Sequence, residues 1–186
     1  GQTQAQTAVR HRLAVVTART LRPAVPQDAP ALARLHHRVW TETYAGLAPP
    51  QAIAALTEAH RLTGWTATLA RSDISTLIAL HGDMPIGLVC FGAASDPVFA
   101  PLAEIRHLYL LPAHRGQGLG RRLLYAALDA LRAAGHPGAA LAVVEQNLAA
   151  RAFYARAGGT EDHSFIDKGP LWRSTNRLVT WTFSHV

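Results

Sequence analysis

Apolar side chains recur along this chain at two spacings, one typical of helices and one typical of strands. The residues that follow the helical spacing between positions 27 and 46 are Ala31, Leu32, Leu35, Val39, Trp40 and Tyr44. They predict a first helix, which Gly46 ends. A second helical pattern covers residues 49–72, and there we expect a break near Gly64.

The other apolar runs are extended and predict strands. Residues 75–94 form two runs around the turn sequence Gly82-Asp83-Met84-Pro85, which is typical of a β-hairpin. Further strands are predicted in residues 19–25, 102–112 and 138–145, with two more in the tail 160–186. The order along the chain therefore begins with a strand, two helices and three strands.

Two later helices complete the pattern. One is predicted from about Leu119 to Ala134, and the other follows Asn147, a candidate N-cap, and ends at Gly158-Gly159. Together these elements predict an α+β fold, in which helices pack on a mixed sheet. We expect residues 1–18 to be an N-terminal extension and residues 19–186 to form a single domain.

Composition narrows the class of protein. A chain of 186 residues with 49% hydrophobic content can bury one core, and 18 basic against 12 acidic residues give a net charge of +6. This excess favours an anionic ligand, which leaves nucleic acid, an anionic membrane surface and a phosphate-rich cofactor open. Basic residues scattered from Arg10 to Arg177, without an interleaved aromatic motif, argue against nucleic acid.

Features that the sequence lacks exclude further kinds of partner and site. No run approaches the roughly 18 apolar residues of a membrane span, so no membrane partner is expected. The single cysteine, Cys90, lies in an apolar run and predicts a buried, inert thiol in a cytoplasmic protein. His36 and His37 are adjacent on a helix and cannot easily face one metal ion, so we predict no metal site.

A glycine-rich loop follows the strand that ends near Pro112. Glycines at 116, 118 and 120 lie between Arg115 and the pair Arg121-Arg122, just before a helix. Backbone N–H groups in such a loop, at the positive end of a helix dipole, form a site for phosphate oxygens. A dinucleotide fingerprint would need glycine at position 121 and a P-loop would need Lys-Ser/Thr after Gly120, so both fit poorly.

The loop reads Arg-x-x-Gly-x-Gly from Arg115 to Gly120, with "EIRHLYLLP" before it and "RRLL" after it. This resembles the acyl-CoA motif of the GNAT family of N-acetyltransferases. The resemblance extends from Arg19 through most of the chain, including "NLAARAFYARAGG", which is similar to the family's late Asn-to-Tyr motif. It implies the GNAT fold, with a mostly antiparallel, twisted sheet of about six to seven strands and helices on both faces.

The resemblance also implies acetyl-CoA as the acyl donor and assigns residues to it. Backbone groups of Leu108, Tyr109 and Leu110 are expected to pair with the pantetheine arm like an added strand. The pyrophosphate is expected on Arg115, Gly116, Gln117, Gly118, Leu119, Gly120 and Arg121. Asn147 and Tyr154, near two turns apart on one helix, are expected to contact the same cofactor.

Two residues are expected to be catalytic. The resemblance implies that Tyr154 protonates the leaving thiolate, although it could instead be a core aromatic beside Phe153, as Asn147 could be a simple N-cap. Glu104 matches the position of a catalytic glutamate in several members and is the candidate base. A surface pair with Arg106, on the same face by alternation, is its alternative.

His107 is the second candidate base, and alternation places it on the face opposite Glu104. For the acceptor, Trp40, Glu42 and Tyr44 could hold an ammonium group by charge and cation–π contact, or the two aromatic rings could belong to the core. The resemblance favours direct attack by a small-molecule amine. A protein N-terminus or lysine as acceptor, and an acyl-CoA-binding module without transfer, stay open, and a homodimer through the last strands would be usual for the family.

Overall fold

The computed structural model describes residues 4–10 and 18–184. Residues 4–10 form a short helix, α1, whose side chains are all exposed. Part of the extension expected over residues 1–18 lies outside the described residues, so its boundary stays a prediction. No helix in the described ranges is long and apolar enough to cross a membrane.

The remaining elements follow the order that the hydrophobic pattern predicts. They are β1 (Arg19–Pro23), α2 (Ala29–Tyr44), α3 (Pro50–Ala55), α4 (Glu58–Leu69), β2 (Ile74–His81), β3 (Met84–Gly92), β4 (Ala103–Leu110), α5 (Leu119–Ala133), β5 (Gly138–Val144), α6 (Leu148–Arg156), β6 (Thr160–Ile166) and β7 (Thr175–Thr182). The strands form one seven-stranded sheet in the order β1-β2-β3-β4-β5-β7-β6. Neighbouring strands run antiparallel except β4 and β5.

Helices cover both faces of this sheet. On one face, α2 and α4 bury apolar residues against β2 and β3, among them Leu32 and Ile78, which are fully buried. On the other face, α5 packs a stripe of leucines and alanines, including Leu123 and Leu124, across β3, β4 and β5. The predicted α+β class is therefore confirmed, with two apolar cores separated by the sheet.

The second helical pattern breaks earlier in the chain than expected. α3 ends at Ala55, and α4 starts after Thr57, whose side-chain oxygen accepts a hydrogen bond from the His60 backbone N–H at 3.1 Å. Gly64 lies inside α4, so the predicted break near Gly64 is wrong. A threonine N-cap stabilises a new helix start, whereas a single interior glycine only weakens a helix by about 1 kcal/mol.

The parallel pair in the middle of the sheet separates after two residues. Ala103 pairs with Ala139 and Glu104 with Ala140, and beyond them β4 and β5 diverge. The edge of β4 from residue 105 to residue 110 therefore has no strand partner on the β5 side. This divergence opens a split between β4 and β5. The split lies within the sheet, which has helices packed on both of its faces.

A β-bulge in β4 changes which face its residues occupy. Cys90 of β3 pairs with His107 and Phe91 pairs with Ile105, so Arg106 is the extra residue. Ile105 and Leu108 consequently both pack in the core under α5, while His107 packs on the α2 side. The predictions that Glu104 shares a face with Leu108, and that His107 lies opposite Glu104, are wrong because the bulge interrupts the alternation.

Candidate active site

A cavity of about 590 Å³ occupies the split between β4 and β5. Its floor is formed by the two diverging strands, and residues of α2 and α6 form its sides. The glycine loop that follows β4 closes one end, which we call the loop end. Thr43, Tyr44, Arg106 and His107 line the other end.

The loop end is built from left-handed glycines. Gly116 has φ of 76° and Gly118, the N-cap of α5, has φ of 80°, a conformation that residues with a Cβ adopt only with strain. A Cβ at either position would meet no other atom within 4 Å, so the space beside this backbone is open. A Cβ at Gly120 would lie 3.5 Å from the Phe153 ring, which brings α5 and α6 close together at the loop end.

Arginines surround this loop. Arg115 donates from Nε to the Leu110 carbonyl oxygen at 3.1 Å, and Arg121 donates from Nη2 to the Arg156 carbonyl oxygen at 3.0 Å. Both line the cavity together with Gly116, Gly118 and Gly120. The other two residues assigned to this loop lie differently: Gln117 is exposed outside the cavity lining, and the Leu119 side chain is buried in the core.

Leu108, Tyr109 and Leu110 line the cavity along the unpaired edge of β4. The two leucine side chains pack toward α5, and the Tyr109 side chain packs toward α2. At these positions the side chains pack in the two cores, while the backbone edge of β4 that faces β5 is free to pair. A strand edge of this kind can pair with amide groups of an extended ligand.

Asn147 and Tyr154 both line the cavity from α6. Asn147 caps this helix, because its Oδ1 accepts from the Ala150 backbone N–H at 3.3 Å. Its Nδ2 also donates to the phenolic oxygen of Tyr44 at 3.3 Å. No local sequence pattern indicates this second contact, because Tyr44 and Asn147 are separated by 103 positions.

The Tyr154 ring lies between Phe153 and Trp181, with ring centroids at 5.3 and 6.1 Å. Burial raises the pKa of Tyr154, and the Tyr44 side chain adds to that effect. Burial also raises the pKa of Tyr44, although the hydrogen bond from Asn147 opposes it. Both phenols therefore keep their protons at neutral pH and are suited to donate rather than to accept a proton.

Glu104 lies at the last position of β4 that pairs with β5, outside the residues that line the cavity. Its Oε1 accepts two hydrogen bonds from Ser95, one from the backbone N–H at 2.8 Å and one from the hydroxyl at 2.6 Å. Arg106 instead donates from Nε and Nη2 to the Ala93 carbonyl oxygen, at 3.2 and 2.8 Å. The structure thus shows no Glu104–Arg106 ion pair among the described residues, and the role of Glu104 as base stays a prediction.

His107 is half-buried, lines the cavity and belongs to an aromatic group with His36, Trp65 and Tyr109. His36 stacks on Tyr109 at 4.6 Å and accepts a hydrogen bond from the Trp65 indole N–H at 3.2 Å. Burial, followed by the charges of Arg61 and Arg106, lowers the pKa of His107 to about 3. The imidazole is therefore neutral at pH 7 and a weak base.

The ammonium site considered around Trp40 is not assembled. Glu42 points to solvent, where it is paired with Arg38 at 3.2 Å. The face of the Trp40 ring is covered by the Arg61 guanidinium, 5.2 Å from the ring centroid. Trp40 is buried against Tyr44 and Trp172, so the core interpretation holds for its ring, while Tyr44 also lines the cavity.

Arg61 and Trp172 were not identified from the sequence, because their neighbours come from distant elements.

Cys90 is buried and burial raises its pKa to about 11, which makes it an inert thiol. Within residues 4–10 and 18–184, no cluster of His, Cys, Asp and Glu is placed to hold a metal ion. The chemistry of the cavity rests on backbone amides, arginines, phenols and one neutral imidazole.

Comparisons with known proteins agree with this geometry. The fold is similar to that of the PaiA N-acetyltransferase of Thermoplasma acidophilum in complex with coenzyme A, with a TM-score of 0.70, 21% identity, and coverage of 89% of this chain and 99% of that one. It is also similar to YncA of Salmonella typhimurium with acetyl-CoA, with a TM-score of 0.69, 21% identity, and coverage of 91% and 96%. These likenesses show the fold.

Sequence comparisons show the family. A protein of Mycobacterium tuberculosis named "Probable N-acetyltransferase Rv2775" is 30% identical over 140 residues, which are 73% of this chain and 76% of that protein. The profile of the acetyltransferase (GNAT) family matches residues 32–159. That match contains the split strands, the glycine loop and α6. The chain therefore belongs to the GNAT family of acetyltransferases.

Proposed function

We propose that this protein transfers the acetyl group of acetyl-CoA to the primary amine of a small molecule by direct attack. The observation that carries the proposal is the split between β4 and β5, which ends at an open glycine loop surrounded by arginines. An unpaired strand edge beside an anion site matches a ligand that has an amide-containing arm and a pyrophosphate. The neighbours with bound coenzyme A and acetyl-CoA support this choice of donor.

The residues present fit such a donor, which supplies a thioester as the reactive group. Backbone groups of Leu108 to Leu110 would hold its arm. The loop from Arg115 to Gly120, with Arg121, would hold its phosphates. Because the backbone beside Gly116 and Gly118 is free of other atoms, phosphate oxygens can approach the amides directly.

In the proposed reaction, the amine nitrogen forms a bond to the carbonyl carbon and the bond from that carbon to sulfur breaks. Tyr154 donates its phenolic proton to the departing thiolate, and the amine gives up a proton in turn. Burial keeps Tyr154 protonated until that step. No acyl-enzyme forms, because Cys90 is buried with a raised pKa and does not line the cavity.

Glu104 is proposed as the group that receives the amine proton. Its carboxylate is fixed by Ser95 and lies outside the cavity lining, so the proton would pass through an intervening water. His107 is nearer to the cavity, but its pKa of about 3 makes it the weaker candidate. The bulge at Arg106 brings both groups to one face of β4, so that one water chain could serve either.

The testing experiment measures thiol release from acetyl-CoA with pooled amines, together with calorimetry of acetyl-CoA binding. The pools are aminoglycosides, polyamines, amino acids and short peptides, with a control that lacks an acceptor. Release with a small-molecule pool supports the proposal, and release only with peptides favours a protein acceptor. Binding without release for every pool would favour a binding module, and absence of binding would overturn the donor assignment.

A further inference from the structure

Tyr44 lines the cavity, and among the described residues nothing accepts its hydroxyl proton. Asn147 fixes the direction of the contact between them, because its Oδ1 accepts from the Ala150 backbone N–H at 3.3 Å. The Asn147 Nδ2 therefore faces Tyr44, and since an amide nitrogen only donates, the phenolic oxygen accepts this hydrogen bond at 3.3 Å. The O–H of Tyr44 is left free to donate to a ligand.

Two other polar groups at this end of the cavity donate to backbone carbonyls. The Thr43 hydroxyl donates to the Val39 carbonyl oxygen at 2.6 Å. Arg106 donates to the carbonyl oxygen of Ala93, which follows β3, at 3.2 and 2.8 Å, so its guanidinium is turned away from the split. Of the two hydroxyl groups that line this end in the described ranges, that of Tyr44 is thus the available one.

The Tyr44 ring is held in place by the protein itself. It packs against Trp40 and Trp172, with ring centroids 5.4 Å away in each case. The hydrogen bond from Asn147 polarises the phenol, which makes its O–H a stronger donor. Burial raises the pKa of Tyr44, so the proton is retained at neutral pH. A fixed, protonated phenol of this kind is a preorganised hydrogen-bond donor.

α6 runs along the cavity and gives the order in which a ligand meets its residues. At the loop end, a Cβ on Gly120 would lie 3.5 Å from the Phe153 ring, so Phe153 and its neighbour Tyr154 lie near the loop. Asn147, the N-cap of the same helix, lies nearly two turns farther away. A ligand that extends from the loop therefore passes Tyr154 before it reaches Tyr44, which Asn147 holds.

We infer that Tyr44 is a second catalytic phenol, which donates a hydrogen bond to the thioester carbonyl oxygen as that oxygen gains negative charge. This inference rests on the proposed function and adds a residue to it. The carbonyl carbon is bonded to the sulfur, so a carbonyl group whose sulfur lies at Tyr154 is next in the direction of Tyr44. Tyr154 gives its proton to the sulfur, whereas Tyr44 keeps its proton throughout.

Infrared difference spectroscopy tests this hydrogen bond without an acceptor. The probe is acetyl-CoA that carries an isotope label at the carbonyl carbon, bound to the wild type, to Y44F and to the control Y125F. A hydrogen bond to the carbonyl oxygen lowers its stretching frequency. We therefore expect the band of the bound thioester at a higher frequency in Y44F than in the wild type. Y125F should match the wild type, because Tyr125 lies on α5 outside the cavity lining.

Kinetics separate a donor from a merely structural phenol. Y44F should lower kcat by about 100-fold or more, while acetyl-CoA affinity changes little. A fluorinated tyrosine at position 44 keeps the ring and the oxygen that accepts from Asn147, but its phenol has a lower pKa. Its kcat should fall as the pH rises through that pKa, because a phenolate cannot donate. A purely structural role predicts no such fall, since the phenolate still accepts from Asn147. The same residue at position 125 should keep the wild-type profile.

The opposite results reject the inference and the proposed function separately. A carbonyl band at one frequency in the wild type and Y44F would remove Tyr44 from the reaction while the transferase function stands. A wild-type pH profile for the variant fluorinated at position 44 would do the same. Because the infrared measurement needs no acceptor, it decides the role of Tyr44 even if no amine pool supports thiol release. Failure of acetyl-CoA to bind would instead reject the proposed function, and the role of Tyr44 with it.

Discussion

The side-chain amide of Asn147 donates to the phenolic oxygen of Tyr44 across 3.3 Å and so joins the start of α6 to the end of α2. The same amide caps α6 through Ala150. The nitrogen and the oxygen of the side-chain amide thus each have a hydrogen-bond partner within the protein. The contact fixes the separation of the two helices that form the sides of the cavity.

Y44F should weaken this connection. Removal of the phenolic oxygen leaves the Asn147 N–H without its acceptor, and we expect a loss of about 1 kcal/mol in the free energy of unfolding. Urea denaturation measures this loss. Y125F is the control, because the Tyr125 hydroxyl lies on a side chain that is 40% exposed, 3.5 Å from the Ala157 carbonyl oxygen. Equal stability of the two variants would show that the contact contributes nothing.

Y154F should slow turnover while it leaves acetyl-CoA affinity nearly intact. The variant keeps the ring packing against Phe153 and Trp181 but removes the proton donor, so kcat should fall by about 100-fold or more. Steady-state kinetics and calorimetry separate the two effects. Because burial raises the pKa of Tyr154, its ionisation should not limit the wild-type rate near neutral pH. An unchanged kcat would remove Tyr154 from the mechanism.

E104Q tests the proposed base without disturbing its surroundings. The glutamine keeps an oxygen that can accept both hydrogen bonds from Ser95, so the fold should be retained. We expect kcat/KM to fall by about 100-fold at neutral pH and to recover partly as the pH rises, when more of the amine is already deprotonated. A pH profile like that of the wild type would exclude Glu104 as the base.

G118A should weaken acetyl-CoA binding through the backbone. Its φ of 80° costs a residue with a Cβ about 1–2 kcal/mol, so the loop should shift away from the conformation that forms the anion site. Calorimetry measures the loss of affinity. The matched variant G64A lies inside α4 with nothing within 4 Å of the new Cβ, and it should instead stabilise the protein by about 0.5–1 kcal/mol. Unchanged affinity in G118A would contradict the loop assignment.

Acid should destabilise the protein through its buried imidazoles. Burial lowers the pKa of His107 from 6.5 to about 3, so its contribution is fully present above pH 6.5 and is lost as the pH falls toward 3. Each pH unit in that window should cost on the order of 1 kcal/mol for His107. Chemical denaturation of wild type and H107Q at several pH values measures this slope. Parallel pH curves for the two proteins would contradict it.

Much of the fold follows from local patterning. The hairpin around Gly82, the start of α5 after the glycine loop and the cap at Asn147 were all predicted, because each depends on residues close in sequence. The break between α3 and α4 was misplaced, because a capping threonine outweighed a glycine. The bulge at Arg106 was missed, since only pairing with β3 produces the extra residue.

The residues of the candidate site also fall into two groups, those that local motifs predict and those that depend on long-range contacts. The glycine loop and the positions of Asn147 and Tyr154 could be found from motifs, and both α6 residues line the cavity. The contact of Arg61 with the Trp40 ring could not be found, because it exists only where α4 packs beside α2. Long-range contacts of this kind depend on how helices pack, which local spacing does not specify.

The brief pairing of β4 with β5 has a consequence for cooperativity. Two residue pairs connect the meander of β1 to β4 with the group of β5 to β7, and α5 bridges both. A ligand bound in the split would hold these halves together as a further connection. Unfolding of one half without the other should therefore become rarer when the site is filled.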